Sequence, residues 1–349
     1  MKFGIFDHIE RLPDVPIDQQ YRDRLELVAQ AEKGGFYGYH VAEHHHSPLC
    51  LAPNQAVYLA AIAQHTQHLR FGPLVYVLPI HHPIRLLEEI SMVDNLSNGR
   101  FQIGIGRGTG GGQEFAMWGG DPDENDKRFD ETFRILMQGF RSDFLSFDGS
   151  YYHFKDLWME LKPKQTPHPP LWYAGNPIHA AEYGANFIGR GTIDELPAVV
   201  SSYLEARATQ LGKNDPMVPY LEEPLYGASR HIYLAETDEE AVARARTAYR
   251  AYGANFHKPV PPDAAPQPRP AGPRNRYSPG QADFDTAVEW ERFVVGSPDT
   301  VRDHLTRYAE KSTCNYFVGS FQWGDLTHEE ASRSMELFVS EVMPSVAEF

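Results

Sequence analysis

The chain has 349 residues, enough for two average domains or one large α/β barrel, so length leaves both open. With 47 acidic against 32 basic residues and a formal charge of -15, it is poorly suited to nucleic acid or an anionic membrane, which leaves a small molecule or a protein as partner. Cys50 and Cys314 form no metal-type spacing, the opening Lys2-Phe3-Gly4-Ile5-Phe6 is too short for a signal-peptide core, and no run of about 18 apolar residues occurs. A soluble cytoplasmic protein is expected.

Phe3 to Phe6 reads as a first strand. A helix from about Gln20 to Lys33 follows, with Leu27, Val28 and Ala31 on one face, and Gly34-Gly35 ends it. Tyr39 to Ala42 is a second strand that runs into Glu43-His44-His45-His46. A helix from about Asn54 to Gln67 leads to a third strand, Leu69 to Leu78. Pro83 opens the next helix, where a missing N–H costs nothing, and Leu86, Ile90 and Val93 mark its buried stripe. After the Asn98-Gly99 turn, Phe101, Ile103 and Ile105 alternate as a fourth strand and exit into Gly106-Arg107-Gly108.

Beyond a helix from about Glu124 to Phe140, Asp148-Gly149 lies between two aromatic-rich runs and predicts a hairpin insertion near 144–161. Leu171 to Ala174 is a fifth strand that exits into Gly175-Asn176-Pro177, and a sixth lies near Asn186 to Gly189. A helix from about Asp194 to Leu211, a strand from Arg230 to Leu234 and a helix from Thr237 to Tyr252 keep the alternation. Eight prolines then fall between His257 and Asp285 with little apolar periodicity, the mark of a lid, a binding loop or disorder. Ser297 and Pro298 are N-cap and first residue of another helix, Tyr316 to Phe321 is the last strand, and Thr327 to Val342 the last helix. Eight β/α units predict a (β/α)8 barrel, one domain over 1–349 with insertions near 144–161 and 257–285.

In such a barrel the chemistry sits at the carboxyl ends of the strands. Glu43 to His46 follow strand two, His81-His82 strand three, Arg107 strand four, and Gly175-Asn176 strand five. Glycines flanking Arg107 let a ligand approach the backbone while the guanidinium pairs with an anion such as a phosphate. Three adjacent histidines invite a metal, but neighbours at a strand end point in different directions, so an acid/base or hydrogen-bonding histidine fits better than a metal site. Gly106, Gly108 and Gly111 also fit G-x-G-x-x-G. That fingerprint needs a helix at the glycines, whereas a loop is expected to run on through Trp118-Gly119-Gly120-Asp121-Pro122.

Several stretches taken together resemble the bacterial luciferase-like flavin monooxygenases over nearly the whole length. They are Ala42-Glu43-His44-His45, Val77-Leu78-Pro79 with His82-Pro83, and Asp94 with Leu96-Ser97 and Gly99-Arg100-Phe101. Gly104-Ile105-Gly106-Arg107-Gly108, Gly296-Ser297-Pro298 and the closing helix up to Pro344 match as well.

The resemblance implies a (β/α)8 barrel that uses reduced FMN and O2 on a small organic substrate, a homodimer, and a separate NAD(P)H:flavin reductase. It implies that His44 is catalytic, that Arg107 holds the FMN phosphate with help from Gly175 and Asn176, and that Gly106 lies against the isoalloxazine. It also places Leu74-Val75, as a non-prolyl cis peptide, under the flavin, with Glu43 and Ala174 among the cofactor-binding residues. The glycines around Gly110 and the run Gly189-Arg190-Gly191 depart from the luciferases and speak against light emission and an aldehyde substrate. His179 stands where a hydroxyl would assist the phosphate. Two other readings remain: an F420-dependent oxidoreductase on the same barrel, and a flavin-binding protein without turnover.

Overall fold

The computed structural model describes residues 1–108, 112–211, 213, 221–257 and 282–346. Strands β1 (Lys2–Asp7), β2 (Gly38–Val41), β3 (Arg70–Pro73), β4 (Tyr76–Val77) and β5 (Ile103–Gly106) are joined by helices α1 (Ile17–Lys33), α2 (Gln55–His65) and α3 (Pro83–Leu96). A six-residue helix α4 (Gly112–Met117) and α5 (Asn125–Arg141) lead to an antiparallel hairpin, β6 (Phe144–Asp148) and β7 (His153–Trp158). Next come β8 (Leu171–Ala174), α6 (Pro177–Glu182), β9 (Asn186–Gly189), α7 (Leu196–Leu211), β10 (Tyr226–Leu234) and α8 (Asp238–Asn255). The chain finishes with α9 (Phe284–Glu289), β11 (Phe293–Gly296), α10 (Pro298–Lys311), β12 (Tyr316–Ser320), α11 (His328–Leu337) and α12 (Met343–Val346).

The main sheet runs β3-β2-β1-β12-β10-β9-β8-β5-β4 through parallel pairs, with β11 added along β10. Its two ends, β3 and β4, are consecutive pieces of one stretch, so the sheet closes on itself as a (β/α)8 barrel whose third position is split. The expected unbroken strand Leu69 to Leu78 is therefore corrected. Leu74-Val75 is a cis peptide that interrupts the ladder, and a 3₁₀ turn at Leu78–Ile80 follows β4. β11 was missed because its four residues sit just ahead of the Ser297 cap that drew attention. Asp283 caps α9, so the end of the proline-rich stretch is helical, while 258–281, where a lid is expected, lie outside the described residues. The final helix is also not continuous, since a π turn at Phe338–Val342 separates α11 from α12.

The helix starts follow sequence chemistry. Asn54 accepts from the Val57 amide, Thr327 and Glu330 form a reciprocal capping box, and Pro83 and Pro298 occupy first positions. Apolar stripes of the helices pack onto the outside of the sheet, for example Leu27, Val28 and Ala31 of α1. Inside the barrel a separate cluster of Leu74, Trp172, Ile188, Tyr316 and Val318 fills the floor. Small residues make room for it: a Cβ on Gly4 would lie 1.8 Å from the Tyr316 hydroxyl oxygen. Trp172 Nε1 donates to Gln102 Oε1 at 2.9 Å and Tyr316 pairs with His40 at 3.0 Å, so the indole N–H and the phenol of this plug are paired. With the floor closed, a ligand can enter only at the carboxyl ends of the strands.

Candidate active site

A cavity of about 500 Å³ opens there. Its lining brings together Glu43 and His44 after β2, the cis pair Leu74-Val75 before β4, Gly106 and Arg107 at the end of β5, and Ala174 at the end of β8. Gly175 and Asn176 are not among its lining residues. Gly175 has φ 100°, and the Asn176 side chain is occupied in accepting from the Ile178 and His179 amides as the cap of α6. Gly106 is tight against the split strand: a Cβ there would stand 2.4 Å from Val75 Cγ2.

His44 is half-buried and its ring stacks on His8, with centroids 5.7 Å apart and an angle of 26°. Burial, reinforced by the neighbouring His44, His231 and Arg24, holds the His8 pKa well below the usual imidazole range. His8 is therefore a neutral hydrogen-bonding group beside His44. It stands where β1 ends, and the strand-end rule applied to β1 would have found it.

Glu43 forms the partition. One oxygen accepts from the Val77 amide at 2.6 Å, the other from His81 at 2.8 Å and His45 at 2.9 Å. Burial opposes its ionisation, but His81, His45 and the amide outweigh burial and bring its pKa down to about 2. Burial likewise disfavours the His81 cation, and Glu43 raises its pKa in spite of that. His45, His46, His81 and His82 therefore do not join His44. They line a second cavity of about 660 Å³ on the other side of Glu43, with Tyr21, Tyr76 and Trp118. Among the described residues no group of three or more His, Cys, Asp or Glu could hold a metal ion, and no helix is long and apolar enough to cross a membrane. Cys50 and Cys314 are free and buried.

Arg107 is held on every side. It donates to the hydroxyls of Tyr173 at 2.9 Å and Tyr183 at 2.8 Å, lies over the Phe129 ring at 4.2 Å, pairs with Asp126 at 2.8 Å, and sits 3.4 Å from His179 Nδ1. A fixed, half-buried guanidinium at a strand end suits an oxyanion, and the exposed carboxylate of Asp126 is the partner such an anion would displace. Thr109, Gly110 and Gly111 lie outside the described residues. α4, however, begins at Gly112, which corrects the expectation of a loop through Trp118. The strand it follows pairs with β4 and β8 in a closed ring, and that separates the glycines from a dinucleotide fold.

The far wall escaped sequence reasoning altogether. Phe6, Tyr252, Phe256, Trp290, Arg190, Arg230, His231 and Arg292 come from β1, the end of α8, the exit of β9, β10 and the approach to β11. No local motif marks them.

A cradle of this kind, with a backbone-only wall at Gly106, a flat cis peptide beside it and a guanidinium at one end, fits a planar cofactor bearing a phosphate. The family model for luciferase-like monooxygenases matches residues 1–313. The protein y4wF of Sinorhizobium fredii is 33% identical over 99% of this chain and 97% of its own. The oxygenase component of the flavin-dependent trigonelline monooxygenase of Acinetobacter baylyi is 28% identical over 100% and 96%. In structure, monooxygenase RslO1 from Streptomyces bottropensis superposes with a TM-score of 0.83 at 24% identity, covering 99% of both chains. The oxygenating constituent of 3,6-diketocamphane monooxygenase from Pseudomonas putida, in complex with FMN, gives 0.75 at 19% identity over 99% and 98%. An F420-dependent secondary alcohol dehydrogenase gives 0.71 at 18% over 99% and 98%, and all three structural likenesses speak to the fold. The chain belongs to the luciferase-like monooxygenases, a family of flavin-dependent oxidoreductases.

Proposed function

We propose that this protein is the oxygenase of a two-component system that takes reduced FMN from a separate reductase and uses O2 to oxidise a small organic substrate. The observation that carries the reading is the convergence of Glu43-His44, Leu74-Val75, Gly106-Arg107 and Ala174 on one cavity above a closed floor. Reduced FMN, when bound, supplies the electrons and activates oxygen. The chain's own residues do the rest. Arg107 anchors the phosphate, helped by the tyrosine hydroxyls already aimed at it. Val75 and Gly106 offer a flat apolar wall, and Gly175 and Asn176 border the phosphate end.

His44 is the proton-handling group. Its imidazole faces the cavity, and the neutral His8 ring behind it keeps it in place without adding charge. Glu43 acts through the loop: fixed by three donors, it sets the direction of His44 and is a positioning residue. The same reading includes a homodimer and a single barrel domain. Val57 on α2 and Met92 on α3 are exposed apolar residues consistent with a covered outer face, and sedimentation of the purified chain tests it.

The decisive experiment is an anaerobic titration with reduced FMN, followed by mixing with oxygenated buffer while the flavin spectrum is recorded. Tight binding with reoxidation slower than that of free reduced FMN supports the reading. The relatives of this fold include an F420 enzyme, so a parallel titration with F420 is the control: preference for F420, or no effect on reoxidation, would replace it.

A further inference from the structure

The same cavity includes a chamber walled by aromatic rings. His8 meets Phe6 at 4.8 Å and Phe256 at 6.1 Å between ring centroids, and Phe256 meets Tyr252 at 5.0 Å, all edge to face. His231 closes the base against Tyr252 at 4.6 Å, and Trp290 completes the rim. Arg292 lines the same cavity; burial raises the Tyr252 pKa and Arg292 opposes that rise, which puts the guanidinium close to the phenol. Its backbone is fixed by β-sheet pairing, with the His231 amide donating to the Arg292 carbonyl at 2.9 Å, so the base of the side chain does not wander.

The charge of the chamber is one-sided. Among the described lining residues the cations are Arg107, Arg190, Arg230 and Arg292, and the carboxylate is Glu43, which faces His45 and His81. Glu10, which acts on Tyr252, is buried. Burial, partly offset by Asn255 and the Gly324 amide, lifts its pKa to about 8, so it is uncharged near neutrality. Burial likewise keeps the His231 imidazole neutral, at about 3. A flat chamber of ring edges and faces that ends in a guanidinium and a phenol is shaped for a planar ring bearing an anion.

We propose that the chamber formed by His8, Tyr252, Phe256, Trp290 and Arg292 is the substrate subsite and takes a single-ring aromatic carboxylate, with the carboxylate on Arg292 and Tyr252 and the ring between the aromatic walls. This rests on the reading that the flavin phosphate lies at Arg107. In that arrangement the ring is delivered next to His44, which shares a wall with His8, and Arg292 is the specificity-determining residue.

The full chain, with and without reduced FMN under argon, is titrated with benzoate and with its neutral counterpart benzamide. Benzoate is expected to bind at least about tenfold more tightly. Arg292→Gln should bring benzoate down to the benzamide level, leaving benzamide and reduced FMN within about twofold of the unmodified protein, and Arg292→Lys should keep a benzoate preference. Tyr252→Phe, which removes only a hydroxyl, should cost benzoate about threefold. Equal affinities for benzoate and benzamide, or no binding of benzoate, would overturn the proposal. So would a loss of reduced FMN in Arg292→Gln as large as the loss of benzoate, because the guanidinium would then serve the cofactor. A benzoate preference that persists without flavin, in a protein that fails to bind reduced FMN, supports the subsite while refuting the flavin reading.

Discussion

The two ends of the cavity each present an arginine, and their surroundings are opposite. Arg107 is ringed by hydroxyls and by the carboxylates of Asp126 and Asp130, on α5 at the rim. Arg292 sits among aromatic rings with a buried, protonated Glu10 behind them. The first guanidinium is poised to trade one anion for another with little change in local charge. The second lies close to the Tyr252 phenol, where a charge-assisted hydrogen bond to a ligand would be flanked by rings.

The largest expected effect lies between the two ends. His44→Ala should lower turnover of any substrate the protein accepts by roughly 10²- to 10⁴-fold and leave reduced FMN binding within about threefold, as read by product formation and by anaerobic titration. Full activity would move the proton-handling role to His8. Next comes Arg107→Ala, which should weaken reduced FMN by about 10- to 100-fold while benzoate binding stays put. An unchanged dissociation constant would remove the phosphate from this end and erase the contrast.

The third test concerns Glu10. Its carboxyl pKa is raised on folding, so the folded chain holds a proton that the unfolded chain has lost once the pH exceeds the ordinary value of 4.5, and stability falls as pH rises from there to about 8. Glu10→Gln keeps the Asn255 and Gly324 contacts without that titration. It should gain roughly 3 to 4 kcal/mol relative to the unmodified chain between pH 5 and pH 8, measured by denaturant unfolding. An identical pH profile in both proteins would mean that Glu10 is ionised, and the chamber would lose its one-sided charge. Glu43 carries the opposite sign: its lowered pKa contributes stability above 4.5 that disappears as the pH falls toward about 2.

The smallest effect is the sharpest probe of the rim. Asp126 is exposed and competes for the Arg107 Nε–H, so Asp126→Asn should tighten reduced FMN by about threefold, with the gain shrinking in high salt. Weaker binding instead would show that the carboxylate orients the guanidinium more than it competes with the phosphate.

The Arg107 part of the cavity was legible because its signals are local. Glycines around an arginine at a strand exit and the alternation of Phe101, Ile103 and Ile105 are neighbours in the chain, and the Glu43-His44 pair follows directly on its own strand. The break at Leu74-Val75 was visible only through family resemblance, since the residues themselves read as ordinary strand formers. The partition by Glu43 was not legible. That His45, His46, His81 and His82 line a different cavity from His44 depends on which way each one leaves its strand, and neighbours there alternate between faces.

By itself the sequence determined the alternation of strands and helices, the caps that start the helices, and hence a barrel with its chemistry at the carboxyl ends, because periodicity and capping act within a few residues. Only the tertiary structure decided the far wall. His8 is separated from Tyr252 and Arg292 by most of the chain, and they meet through closure of the ring, where β10 carries β11 along its edge and the end of α8 leans over β1. A site assembled from elements this far apart leaves no pattern in any one stretch. Its chemistry emerges when the barrel closes.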